Sequence, residues 1–221
     1  MKLRILFLVV LPILFLNASF RPGKEALAIG RPVAGVDSIY SVLVARNAEL
    51  PDPAVFQKAM SGLISARDKD ITSTEIISII DFTKPSTEKR FYVIEIKRGK
   101  VLHHTLVAHG KNSGELYAKQ FSNVVDSRKS SLGLYRTGKT YMGKHGLSLK
   151  LHGLEPGVND RAEQRAIVMH GADYVSESFV KRTGRLGRSF GCPAIPFEDH
   201  KTIINTLANG SCLYIHYESS Y

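Results

Sequence analysis

Cys192 is one of only two cysteines in the 221-residue sequence, and its neighbours are unusual ones. It stands in Arg185-Leu186-Gly187-Arg188-Ser189-Phe190-Gly191-Cys192-Pro193-Ala194, a run of glycines, a serine and two arginines stopped by proline. Cysteine is ordinarily a small buried hydrophobe, yet this segment has almost nothing to bury. Nearby positive charge favours the thiolate, which is the nucleophilic form. The chemistry such a thiol offers is attack on a carbonyl carbon. The second cysteine, Cys212, lies in the strand-like run 211–217 and reads as core.

A thiol nucleophile calls for a base, and His170 is the best candidate among eight histidines. Four of the eight precede glycine: His109, His145, His152 and His170. His170 follows the buried-strand run Ala166-Ile167-Val168-Met169 and precedes Gly171-Ala172, so its imidazole sits where a rigid strand gives way to an open loop. With an ordinary pKa of about 6.5, imidazole accepts a thiol proton at neutral pH. Strand neighbours face opposite sides, so at most one of His103 and His104 faces inward. No HExxH or other close ligand spacing occurs, and the sequence implies neither a metal nor an organic cofactor.

One motif is a decoy. Gly133-Leu134-Tyr135-Arg136-Thr137-Gly138-Lys139-Thr140 matches the phosphate-binding pattern GxxxxGK[ST] in full. That chemistry needs a hydrophobic strand before the loop and a helix after it, whose N-terminus meets the phosphates. Here the polar stretch 126–131 precedes the motif and the glycine-punctuated 141–146 follows it. It reads as a strand and turn, and no nucleotide is expected.

The elements that must position these residues are mostly strands. Residues 20–50 read as a linker with one short helix around 38–45. Asp52 as N-cap and Pro53 at the first helical position open a helix whose apolar stripe is Val55, Phe56, Met60, Leu63 and Ile64. From Glu75 the period changes, and strands are predicted at 75–82, 90–97, 101–108, 133–137, 147–151 and 166–169. The turn Lys97-Arg98-Gly99-Lys100 makes the second and third a hairpin. A helix over 197–209 leads into a closing strand at 212–217. The pattern predicts a mainly β protein with a few helices, of α+β class: a β-sandwich-like domain over 73–221, preceded by a helical segment at 51–72 that packs on it.

Composition is ordinary for a globular protein, 43% hydrophobic and 23% charged. Residues 1–19 differ. Lys2 and Arg4 precede the apolar run 5–16, and Asn17, Ala18 and Ser19 follow, the layout of a secretory signal peptide. The run is too short to span a bilayer, which takes about 20 residues; membrane contact is expected only through this segment. The chain therefore reads as exported, and its net charge of +10 acts outside the cytoplasm. No nucleic-acid-binding motif accompanies that charge; an anionic envelope polymer, or plain solvated surface, fits it better. In an oxidising compartment two cysteines also allow a Cys192–Cys212 disulfide, worth about 3 kcal/mol.

Met169-His170-Gly171 followed by Ser189-Phe190-Gly191-Cys192 resembles the catalytic signature of the murein L,D-transpeptidases, the YkuD-like domain. That signature is histidine-glycine, a loop, then serine-histidine-glycine-cysteine, a hydrophobic residue, and arginine or asparagine. The resemblance covers about 75–218, includes the hairpin 90–108 and Ser131-Leu132-Gly133-Leu134-Tyr135, and is closest to a divergent bacterial branch carrying GRSxGCPA. Phe190 stands where the signature has histidine, and Ala194 where it has the basic or amide residue.

The resemblance implies an L,D-transpeptidase catalytic domain in the periplasm or cell envelope. Its partner would be the peptidoglycan stem peptide. Cys192 would form a thioester at the third residue of a stem tetrapeptide, with His170 as general base. Backbone N–H groups of Gly191 and Cys192 would hold the oxyanion. Gly171, Ser189, Arg185 and Arg188 fall on the substrate side. The two arginines are the nearest carboxylate readers, or plain surface charge; Ser189 orients His170 or a substrate amide, or makes a turn. Transfer to an amine gives a cross-link or protein attachment, and transfer to water gives an L,D-carboxypeptidase. A non-catalytic wall-binding module with the Cys192–Cys212 disulfide is the remaining alternative.

Overall fold

The computed structural model describes residues 35–218; the expected signal peptide, 1–19, and the linker up to residue 34 lie outside the described residues. Helix α1 (Val36–Arg46) falls where the short helix was expected. Helix α2 (Pro53–Asp68) starts as its cap residues dictate: Asp52 Oδ1 accepts from the amides of Ala54 at 2.8 Å and Val55 at 3.4 Å. Val55, Phe56, Ala59, Met60, Leu63 and Ala66 form its buried stripe.

Eight strands follow: β1 (Ile76–Asp81), β2 (Phe91–Glu95), β3 (Lys100–Thr105), β4 (Gly133–Gly143), β5 (Gly146–Gly153), β6 (Val168–Ala172), β7 (Ala194–Pro196) and β8 (Cys212–His216). Short helices α3 (Glu177–Thr183) and α4 (His200–Leu207) complete the chain. The strands form one mixed sheet in the order β3-β2-β1-β8-β4-β5-β6-β7. Two isolated bridges, Ala108 to Ala194 and Gly110 to Ser189, bring the segment after β3 onto the β7 edge. The sheet thereby curls nearly into a barrel and leaves little of those edges unpaired.

The central strands are buried on both faces, which explains their continuous apolar runs. In β1, Ile77 and Ile79 face the α1–α2 layer while Ile80 faces the second core; in β8, Cys212 and Tyr214 face the helices while Leu213 and Ile215 face that second core. The second core takes Tyr135, Leu149, Leu151, Met169 and Ile195 from the sheet, with Ile203, Ile204 and Leu207 from α4.

This division overturns the disulfide alternative. Both cysteines are free. Cys212 is sealed in the helical core, where burial pushes its thiol up to about 11, whereas Cys192 packs against the other core. The phosphate-loop look-alike is simply part of β4, paired antiparallel with β5. Two elements go beyond the sequence pattern. β7 has only three residues, and α3 buries none of its side chains, so neither carries a periodic signal. Among the described residues no helix is long and apolar enough to cross a membrane.

A buried polar pair holds the segment that reaches the β7 edge. Arg90 is fully buried. It donates to the Val107 carbonyl through Nε at 3.1 Å and Nη2 at 2.9 Å, to the Lys84 carbonyl at 2.8 Å, and to His109 Nδ1 at 2.9 Å. His109 Nδ1 therefore accepts, and its Nε2–H donates to the Gly114 carbonyl at 3.2 Å. Burial first, and then the Arg90 charge, hold the His109 pKa down at about 4. A folded-state value below the ordinary 6.5 means stability is complete above pH 6.5 and falls as pH drops toward 4. The fall amounts to about 3 kcal/mol, on the scale of about 1.4 kcal/mol per pKa unit. Urea titrations at pH 7.5 and 4.5 should show His109→Gln losing about 2 kcal/mol less than wild type over that interval; equal losses would count against a buried neutral imidazole at His109.

Candidate active site

β6 and β7 bring the two candidate residues to one end of the sheet. They run parallel with His170 opposite Ala194, so Cys192 lies two residues upstream on the adjoining segment. The loop that presents it is tied down by Ser189. The Ser189 hydroxyl donates to the Cys192 carbonyl at 2.6 Å and accepts from the Gly191 amide at 3.0 Å. Its backbone is gripped as well, with its amide on the His109 carbonyl at 3.0 Å and its carbonyl on the Lys111 amide at 2.7 Å. Ser189 is thus a turn-maker, one of the roles open to it in the sequence. Gly191 is obligatory here: its φ is 122°, and a Cβ would meet the Lys129 carbonyl oxygen at 2.8 Å.

Cys192 is half-buried. Its thiol donates to the Ala166 carbonyl at 3.8 Å, and Ala166 itself holds a left-handed φ of 52°. Burial pushes the Cys192 thiol up. The Val168 and Cys192 amides, Arg165 and Lys144 pull it back without cancelling that rise. The expectation from the neighbouring cations is therefore corrected: desolvation outweighs charge, and the resting group is a thiol.

His170 is 3% exposed. Its Nδ1 lies 3.0 Å from the Gly171 carbonyl, an acceptor only, so Nδ1 carries the proton and Nε2 is the free base. Burial, joined by the charges of His145, Lys144 and His200, holds its pKa below the ordinary value. The imidazole is neutral at pH 7. A Cβ at Gly171 would meet the His200 ring at 2.6 Å, so this glycine lets His200 pack close to the strand that carries His170. On the other side the β4–β5 turn brings His145 over the ring, stacked at 4.3 Å between centroids with 15° between planes.

The two arginines expected to read a carboxylate are already paired. Arg185 Nε lies 3.0 Å and Arg188 Nη1 2.6 Å from the oxygens of Glu115, and Arg188 also donates to the Lys111 and Gly114 carbonyls. They lash the cysteine loop to residues 111–115. The Gly191 amide, expected to face an oxyanion, is on Ser189. The cations whose charge reaches the thiol are Arg165 and Lys144, which the sequence pattern did not single out. Arg165 is taken up by the carbonyls of Ser122 and Lys129 and the hydroxyls of Ser127 and Ser131. Among the described residues no group of three or more His, Cys, Asp or Glu is placed to hold a metal ion. A cavity of about 610 Å³ lies past the other ends of β6 and β7, lined by Asp173, Glu177, Glu198 and Asp199, and includes neither candidate residue.

The family model described as the L,D-transpeptidase catalytic domain matches residues 47–216. The chain belongs to that family. No curated protein sequence matches it. Similar solved structures include an L,D-transpeptidase from Mycobacterium smegmatis, at 12% identity and TM-score 0.40 over 66% of this chain and 60% of that one. Another is the helical cell shape determining protein Pgp2 from Campylobacter jejuni, at 13% identity and TM-score 0.42 over 69% and 54%. A third is L,D-transpeptidase 3 from Mycobacterium tuberculosis, at 9% and 0.41 over 65% and 61%. The chain spans less than two thirds of each of these structures. The family assignment rests on the 47–216 match.

An L,D-transpeptidase domain whose cysteine rests as a thiol should alkylate slowly at neutral pH. The iodoacetamide rate at Cys192 should rise with a midpoint above the ordinary 9.0, with Cys212 silent in its core. A rate already at its plateau by about pH 7, as a low-pKa cysteine would show, would contradict the order of effects given above.

Proposed function

We propose that the protein is an exported cysteine acyltransferase of L,D-transpeptidase type that acts on peptidoglycan stem peptides. The observation that carries this reading is the pairing of β6 and β7. Within a domain of this family, it puts Cys192 two residues before the strand partner of a histidine whose Nδ1 is committed to a carbonyl and whose Nε2 is left free to accept a proton.

The chemistry follows from the two protonation states. A thiol above its ordinary pKa is a poor nucleophile until its proton leaves, so a base must act as the bond forms. Rotation of the Cys192 side chain off the Ala166 carbonyl brings Sγ to the substrate. The proton passes to His170 Nε2, Sγ bonds to the carbonyl carbon of the third stem residue, and the C–N bond to the terminal D-alanine breaks. The imidazolium returns the proton to the departing amine. An acceptor amine then attacks the thioester, the S–C bond breaks, and the thiol regains a proton. Of the oxyanion donors implied by the family signature, the Cys192 amide is the one retained here, since the Gly191 amide is occupied. Export rests on the 1–19 pattern, and the positive net charge suits an anionic wall.

Mass spectrometry of muropeptides incubated with the full chain tests this. Wild type should release D-alanine and form cross-linked dimers. Cys192→Ala should form none, and His170→Gln should slow the reaction by about 10²–10⁴. Products unchanged in Cys192→Ala would end the proposal; tripeptide without dimers would assign water as the acceptor.

A further inference from the structure

The carboxylate at the end of the donor peptide needs a cation near the thiol, and the structure removes most of the candidates. Arg185 and Arg188 share Glu115. Arg165 is engaged by two carbonyls and two hydroxyls. Arg128 lies over the ring of Phe190, 4.7 Å from its centroid. Ala194, where the family signature has a basic or amide residue, is apolar and buried.

Lys144 remains. It sits at the β4–β5 turn, where Gly143 pairs with Gly146, and its side chain is exposed. Among the described residues it has no ion pair. The tip that carries it is held over the site by its neighbour: the His145 ring is the one stacked on His170 at 4.3 Å. Two residues after the turn, Ser148 pairs with His170 across the sheet. The tip is therefore fixed to the base from both its ring and its backbone.

We propose that Lys144 receives the free C-terminal carboxylate of the donor stem peptide. This rests on the acyl-transfer reading above. The distance scale agrees with it. The carboxylate belongs to the residue that leaves, one residue or about 3.5 Å along the chain from the carbonyl under attack. Its partner must therefore lie close to both nucleophile and base. The Lys144 tip lies against the base through the His145 stack and the Ser148 pairing, and its charge acts on both the His170 imidazole and the Cys192 thiol. An ammonium on a flexible stem is a point charge, so it would select for a terminal anion without demanding the planar geometry of a guanidinium fork. His145 has the companion task of positioning the tip, through its stack on the base.

The test uses two donors, a tetrapeptide ending in D-alanine as the free acid and the same peptide as its C-terminal amide. Acylation of the thiol is followed by intact mass. Wild type should prefer the acid by tenfold or more in kcat/KM. Lys144→Gln should lose that preference, through a tenfold or greater rise in KM for the acid and less than a twofold change for the amide. Lys144→Arg should keep most of it. His145→Ala should weaken the acid donor, and His145→Phe, which keeps the stack, should restore it. Equal use of both donors by wild type, or an equal loss on both in Lys144→Gln, overturns the assignment to Lys144 alone. A wild-type protein acylated by neither donor overturns the acyl-transfer reading together with it.

Discussion

The hydroxyl of Ser189 is the point on which the site depends. It bridges the Gly191 amide and the Cys192 carbonyl, and so holds the one backbone turn that leaves the thiol at the end of β6 and β7. Each such bond is worth only about 1 kcal/mol net, but its removal strands a buried amide, which costs about 1–3 kcal/mol. The turn is supported in its own right by the strand-like segment 108–111, which pairs with Ala194 and Ser189. That segment stands on the Arg90–His109 pair, and Arg90 stacks on Phe82 of the inner core, 4.8 Å from its centroid. The thiol is thus held by a chain of contacts reaching from the hydrophobic core to the loop.

Within this frame electrostatics takes second place to burial. The protein carries +10, and two cations reach Cys192, yet its thiol moves up rather than down because the sulfur is desolvated. The same desolvation acts in the opposite direction on His170, where the charged form is the one disfavoured. Thiol and imidazole both rest neutral. A neutral thiol and a neutral imidazole are suited to proton transfer during attack rather than to a standing thiolate.

Much of this architecture was legible in the residues. The Asp52-Pro53 cap, the isoleucine-rich runs and the glycine-punctuated turns carry strong local signals, and α2, β1, β2 and β8 appear where those signals lie; β6 starts two residues later than expected, at Val168, so His170 lies within the strand rather than at its end. The His170 and Cys192 candidates stood out because each follows or joins a pattern with an evident structural cost. The partnerships were not legible. Arg185 and Arg188 look like free cations in the sequence, and only the fold shows that a loop some seventy residues upstream supplies Glu115 to both. Arg165 and Lys144 carry no motif, since their roles come from loops brought together by β4, β5 and β6. The repeated histidine-glycine pairs were a usable signal: three of the four, at 109, 145 and 170, converge on the site, one beneath the loop, one on the tip and one as the candidate base on β6.

The claim at the centre is that an acyl group rests on Cys192. The direct measurement is intact-mass analysis, with peptide mapping, of the full chain quenched shortly after mixing with a stem tetrapeptide and no acceptor. A covalent thioester is predicted, equal in mass to the tripeptide acyl group, located on Cys192 and discharged by added amine. Turnover with no adduct, or an adduct mapped to another residue, would contradict it.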